Sequence, residues 1–338
     1  MTDTTKIEWA DYTWNPWVGC TKVSPACDHC YAESWAKRFG LVKWGNNPRR
    51  RASPATWNKL KKWNRASADF KTHSGRMNTV FTCSHGDFFD NQVPAQWRDD
   101  AWEQIRQCDN LFMLILTKRP QNIAGMRPLF WRQINHRIGL GVTVENQTEA
   151  DRRIPHLLEH DCAVRYLSCE PMLHQVDLEN VAFVNGIEGD RFNALTGEAK
   201  IWGQSADSPQ KVLLKLDPIP NTINWVIAGG ESGAHARPSH PDWFRSLRDQ
   251  CACANVPFLF KQWGEWFPGI VDDISDGSGG CAYPDIEHDH NSDRWQFKSV
   301  KYQEINGTDM LRVGKKRAGR NLDGSEHNQF PDFSGVAR

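Results

Sequence analysis

Short apolar or β-branched runs alternate with helical patterns along most of this chain, and that alternation restricts the fold more than any other feature. The runs are Asn78 to Cys83, Leu111 to Thr117, Arg137 to Val144, Ala163 to Ser168, Asn224 to Ala228 and Pro257 to Phe260. Among the intervening stretches, Ala95 to Cys108 opens behind Pro94, Thr148 to Glu159 sets Ile154, Leu157 and Leu158 on one face, and Pro241 to Cys253 is a third helical pattern. Strands separated by helices pair in parallel through right-handed crossovers, which predicts an α/β fold. With 338 residues, 39% of them hydrophobic, the chain can bury the core of one large domain with appendages, and an α/β barrel often takes that length.

The polar residues cluster where the runs end. Ser84-His85-Gly86-Asp87, Thr117-Lys118-Arg119-Pro120, Thr143-Val144-Glu145-Asn146, Ser168-Cys169-Glu170-Pro171 and Gly229-Gly230-Glu231-Ser232-Gly233 each place a carboxylate, a hydroxyl or both just past a strand. In a parallel barrel all such ends share one face, and active sites sit there. Cys20, Cys27 and Cys30 follow Trp14-Asn15-Pro16-Trp17-Val18-Gly19, which suits the loop after the first strand and so the same mouth.

Three thiolates can hold three irons of a cubane cluster and leave the fourth open, whereas structural zinc and electron-transfer clusters normally take four protein ligands. Cys27-x-x-Cys30 alone also reads as half a zinc site, completed by His29 or a distant cysteine, or as a redox dithiol. On the triplet by itself these readings stand open. No apolar run is long enough to span a bilayer, and Met1 to Lys6 lacks the charged-then-apolar start of a secretory signal. The expectation is a cytoplasmic protein with reduced cysteines, in which the scattered Cys83, Cys108, Cys162, Cys169, Cys251, Cys253 and Cys281 are free thiols, several of them buried.

A formal net charge of zero argues against nonspecific coating of nucleic acid. The charge is unevenly spread, however. Ala36 to Ala68 carries ten basic residues and no acid, with Trp44, Trp57 and Trp63 interleaved. Arg49, Arg50, Arg51, Trp57, Lys61, Lys62 and Trp63 are therefore candidates to grip phosphates and stack bases, although a solvated loop and helix with surface lysines reads nearly as well. Lys315, Lys316 and Arg320 form a similar basic tail. Phe183 to Thr222 reads as a small antiparallel hairpin insertion. Residues 1–264 then form the main unit, with 183–222 as its insertion, and residues 265–338 a loop-rich extension. Within the extension Asp272 to Asp293 is acidic and Gly/Ser-rich; Cys281, His288 and His290 raise a second metal site there, against the simpler reading of a solvated loop.

Several blocks together carry a family likeness. Ile7-Glu8-Trp9, Trp14-Asn15-Pro16, the three cysteines with Tyr31-Ala32-Glu33, Leu116-Thr117-Lys118-Arg119-Pro120, Gly141-Val142-Thr143-Val144-Glu145-Asn146, Leu167-Ser168-Cys169-Glu170-Pro171, Gly229-Gly230-Glu231-Ser232-Gly233 and Phe260-Lys261-Gln262-Trp263-Gly264 resemble a phage-associated, radical-SAM-like family. With Gly314-Lys315-Lys316 to Asp323-Gly324 the resemblance covers most of the chain. It implies a partial (β/α) TIM-type barrel of the radical SAM kind, with a 4Fe-4S cluster on Cys20, Cys27 and Cys30 and S-adenosylmethionine on the open iron. The usual loop is C-x3-C-x2-C; here the first gap is six residues, and His29 stands where an aromatic normally precedes the third cysteine. His29, Ser84, Asp87, Thr143, Glu145, Glu170, Gly229, Gly230 and Glu231 are the expected S-adenosylmethionine contacts.

The function implied is radical chemistry on a nucleic-acid base or nucleotide, one form of it an isomerase in the hypermodification of thymine in phage DNA, with an electron donor such as flavodoxin or ferredoxin. Two alternatives remain. One is a zinc-stabilised nucleic-acid-binding or repair-associated protein without radical chemistry; the other is a radical enzyme acting on protein or a small metabolite.

Overall fold

The computed structural model describes residues 4–183, 189–205, 208–269, 286–289, 294–297 and 302–335. Seven strands form the central sheet: β1 (Tyr12–Trp14), β2 (Asn78–Thr82), β3 (Leu111–Thr117), β4 (Ile138–Thr143), β5 (Val164–Cys169), β6 (Trp225–Gly229) and β7 (Phe258–Gln262). Their spatial order follows the chain from β1 to β7, and every neighbouring pair is parallel. An unbroken order distinguishes barrel winding from a doubly wound sheet, where the order reverses. The fold is α/β, a curled open sheet of the partial TIM-barrel kind. The main helices are α1 (Tyr31–Arg38), α2 (Pro54–Ala66), α3 (Ala95–Gln107), α4 (Gln147–Leu158) and α5 (Pro241–Cys253).

The two-residue period of the strands divides their side chains between two cores. Val80, Met113, Ile115, Leu140, Val142, Leu167, Val226 and Phe260 pack in the same buried cluster as Leu60, Ile105, Ile154, Leu157 and Phe244 of the helices. The alternate residues Phe81, Phe112, Leu114, Tyr166, Trp225, Ile227 and Leu259 form a second cluster with Trp9 and Phe333. The Tyr166 ring lies where a side chain at Gly141 would project: a Cβ there would fall 2.4 Å from it.

Phe183 to Thr222 contains the expected hairpin, Ala199–Ser205 with Ser208–Leu216. The structure extends it into a four-stranded antiparallel sheet with Arg191–Phe192 and Val181–Ala182. Beyond Gly264, Trp266–Pro268, Thr308–Arg312 and Tyr302–Ile305 form a three-stranded antiparallel sheet, although that region read as loop. The tail then returns to the main sheet. The Phe260 amide donates to the His327 carbonyl at 2.9 Å and the Gln329 amide to the Phe258 carbonyl at 3.2 Å, so the tail runs along the free edge of β7; the Met77 amide, just before β2, then donates to the Phe333 carbonyl at 2.9 Å. Cys281 and His290 lie outside the described residues. No helix among the described residues is long and apolar enough to cross a membrane.

Candidate active site

The cysteine loop leaves a two-stranded ribbon, Trp17–Val18 against Arg50–Arg51, through Gly19 at φ +116°. Its amide donates to the His85 carbonyl at 3.0 Å, so the loop starts beside the end of β2. Pro25–Cys27 forms a short 3-10 turn, and Cys30 occupies the N-cap position of α1. All three cysteines are free thiols, Cys27 buried and the other two half-buried. Burial pushes the Cys20 thiol up to about 11; the nearby Asp87 carboxylate adds to the rise and the Arg119 guanidinium opposes it.

Three strand-end carboxylates each meet an arginine, and each pair fastens this loop. Past β2, Asp87 accepts from Thr117 Oγ1 at 2.7 Å, the Phe89 amide at 2.9 Å, the Lys118 amide at 3.0 Å and Arg119 Nη1 at 2.9 Å. Arg119 also reaches the Thr21 carbonyl at 2.8 Å and Cys20 Sγ at 3.5 Å. Past β4, the tight turn into α4 is closed by Asn146, whose side chain caps the helix by accepting from the Glu149 amide at 3.0 Å. That turn points Glu145 back toward α4, where Arg153 Nη1 donates to it at 2.8 Å, while the Ala26 amide of the cysteine loop donates to its other oxygen at 3.2 Å. Both Glu145 and Arg153 are almost fully buried. Burial raises the Glu145 carboxyl, but Arg153 and the loop's hydrogen bonds outweigh it and hold the group below its ordinary value. Past β6, Glu231 takes a bidentate contact from Arg237, Nε to Oε2 at 2.8 Å and Nη2 to Oε1 at 2.6 Å. Arg237 Nη2 also donates to the Pro25 carbonyl at 3.0 Å, and Nη1 lies 3.3 Å from Asp28.

Asp87, Glu145 and Glu231 therefore already serve as loop anchors, which alters the expectation that they bind S-adenosylmethionine directly. Burial with a charged partner is why: an unpaired carboxylate at these depths would cost several kcal/mol. Glu145 and Gly229 are absent from the cavity wall, whereas Cys20, Cys27, Cys30, His29, Ser84, Asp87, Thr143, Glu170, Gly230 and Glu231 all line it. The cavity holds about 680 Å³, within the range of about 300–1,000 Å³ for small-molecule sites. Glu170 pairs with Lys261 at 2.9 Å and accepts from Ser168 at 3.3 Å. Ser84 is held by Asn15 at 3.0 Å. The glycine at 230 makes room for protein rather than ligand, because a Cβ there would stand 1.9 Å from the Trp263 carbonyl oxygen. Ile7, Trp9, Phe81 and Leu116 make part of the wall apolar, and Lys118 and Lys315 add cations to it. Among the described residues no group of three or more His, Cys, Asp or Glu side chains converges closely enough to hold one metal ion.

The basic segment divides. Arg49 is buried, with Nε 2.7 Å from Asp90 and Nη2 2.7 Å from Thr21 Oγ1, so it anchors the cysteine loop and is not a phosphate contact. Trp57 and Trp63 are buried, which corrects their assignment to base stacking; with Leu60 they form the inward face of α2. The spacing 57, 60, 63 is helical and carries that signal in the sequence. Arg51 pairs with Asp100 at 2.7 Å and lies over the Trp57 ring. Arg50, Lys61, Lys62, Lys315 and Lys316 are exposed, and Arg320 is half-buried beside Glu326. Sequence reasoning missed Arg119, Arg153 and Arg237 as site residues; a cation just past a strand end, as in Thr117-Lys118-Arg119, was the available sign.

Residues 4–331 match the family model described as "Protein of unknown function (DUF5131)", and the chain belongs to that family. No curated protein matches it. Among solved structures the chain is similar to a mutant spore photoproduct lyase, at 14% identity and a TM-score of 0.34, over 53% of this chain and 48% of that one. The chain thus spans about half the length of that protein.

Proposed function

We propose that this chain is a radical S-adenosylmethionine enzyme. One observation carries the reading: three free cysteines in one short loop line a single cavity with the polar ends of a parallel sheet. Three thiolates can hold three irons of a cubane cluster and leave the fourth open, whereas a structural zinc ion normally takes four protein ligands. The donor set also fits, since Cys20 has a buried cation beside its sulfur.

Cys20, Cys27 and Cys30 would hold a 4Fe-4S cluster, with the open iron left for the amino and carboxylate groups of S-adenosylmethionine. When bound and reduced by a donor of the flavodoxin or ferredoxin kind, that pair supplies a 5′-deoxyadenosyl radical, and the protein supplies position and dryness. Glu170, steadied by Lys261, is the wall carboxylate not committed to an arginine, and is assigned to cofactor hydroxyl or ammonium groups. Ser84, Thr143, Gly230 and His29 complete that wall, while Trp9, Phe81 and Leu116 exclude water. Anaerobic reconstitution, then incubation with S-adenosylmethionine and dithionite, is expected to yield 5′-deoxyadenosine. A reconstituted protein containing zinc and making none would overturn the reading.

The substrate is assigned to a nucleic-acid base or nucleotide, with isomerisation in thymine hypermodification of phage DNA as its most specific form. Exposed Arg50, Lys61, Lys62 and Lys316 support it, as does Lys315 on the cavity wall. Neutralising Arg50, Lys61 and Lys62 together is expected to flatten the salt dependence of DNA binding by roughly 0.9 for each phosphate they neutralise in the wild type. An unchanged slope would move the assignment to a free nucleotide or another small molecule.

A further inference from the structure

Arg119 is a buried cation that ties the cysteine loop to Asp87 and also turns one nitrogen toward a cysteine sulfur. Asp87 already accepts from Thr117, the Phe89 amide and the Lys118 amide, which is ample for a carboxylate. The guanidinium is nonetheless held between Asp87 at 2.9 Å and the Thr21 carbonyl at 2.8 Å, with Nη1 placed 3.5 Å from Cys20 Sγ. A neutral thiol is a weak acceptor and gives a desolvated cation little in return; a metal-bound thiolate is a strong one. Hydrogen bonds and charge around cluster sulfurs set the potential at which a cluster is reduced.

We infer that Arg119 is a positioning residue that donates to the Cys20 sulfur, and that Asp87 and Arg119 together set the reduction potential of the cluster proposed above. The inference rests on that reading of the three cysteines. Reduction adds one electron, taken from an external donor, and raises the negative charge of the cluster by one without a proton. A guanidinium beside the sulfur stabilises the reduced form and moves the potential upward. Asp87 restrains that effect, because its own charge partly cancels the cation's.

The test is an anaerobic redox titration of the reconstituted full chain with dithionite, followed by electron paramagnetic resonance, with iron counted in each sample. Arg119→Met is expected to shift the midpoint to more negative potential and Arg119→Lys to restore most of the difference. Asp87→Asn is expected to shift it the opposite way, to more positive potential. Opposite signs from the two members of one ion pair are not what simple loosening of the fold produces. Should Arg119→Met fail to fold, Arg119→Gln removes the same charge while keeping a hydrogen-bond donor, and its midpoint is compared with that of Asp87→Asn. Fully loaded variants with the wild-type midpoint, or shifts of one sign, would overturn this inference alone. A wild-type chain that takes up no iron would remove both it and the reading beneath it.

Discussion

Glu145→Ala is expected to destabilise the protein by about 3 kcal/mol, the low end of the usual range for breaking a buried ion pair. The carboxylate it removes is wholly buried, 2.8 Å from Arg153 Nη1, and Arg153 is itself almost inaccessible. Arg153 keeps Glu149 at 2.8 Å and the Thr143 carbonyl at 2.7 Å, which is why the low end applies. The same change frees the Ala26 amide, so the cysteine loop loses its tie to the end of β4. Denaturant unfolding of the metal-free protein reads the first effect, and iron retained after gel filtration of the reconstituted protein reads the second. Glu145→Gln, whose single amide oxygen can accept from only one of the two donors, is expected to recover part of the effect served by that donor. If instead Glu145 contacted S-adenosylmethionine and nothing else, the metal-free variant would unfold at the wild-type denaturant concentration.

The role of Glu145 shows where reading from sequence stops. The alternation of apolar runs and helical patterns located the main sheet closely: Leu111 to Thr117 is β3 as expected, and the other five runs agree to within two residues at either end. Periodicity and strand length are local properties, and the fold follows from them because parallel pairing and right-handed crossovers leave few arrangements. Placement of the cysteine loop and the polar strand ends at one mouth follows from the same topology. What each polar residue does there is decided by partners far away in the chain. Glu145 meets Ala26, Glu231 holds Arg237 against Pro25, and Arg49 meets Asp90. No spacing rule connects such pairs, so a carboxylate serving a ligand and one serving an arginine look alike in the sequence. Trp57 and Trp63 are different, because their helical spacing with Leu60 already marked an inward face.

The three anchored carboxylates give the cysteine loop its physical rationale. A loop that must present three sulfurs to one bound group needs its backbone fixed before that group arrives, since positions left loose add an ordering cost to binding. Arg119, Arg237 and Glu145 fix Thr21, Pro25 and Ala26, residues that flank Cys20 and Cys27, and α1 begins at Cys30. Buried Cys108 and Cys169 lack any such arrangement and belong to the apolar core. The second large effect follows from this contrast: Cys20→Ala, Cys27→Ala and Cys30→Ala should each lose the cluster, whereas Cys108→Ala should keep it. Removing one of three ligands leaves two irons open in place of one, and the cluster is then lost to solvent and chelator.

Iron and acid-labile sulfide counted per chain after anaerobic reconstitution and desalting, for the wild type beside these four variants, tests the account most directly. The expected result is close to four irons for the wild type and Cys108→Ala, and nearly none for the three loop variants. Full iron loading in any of the loop variants, or a wild type that binds zinc in place of iron, would contradict it.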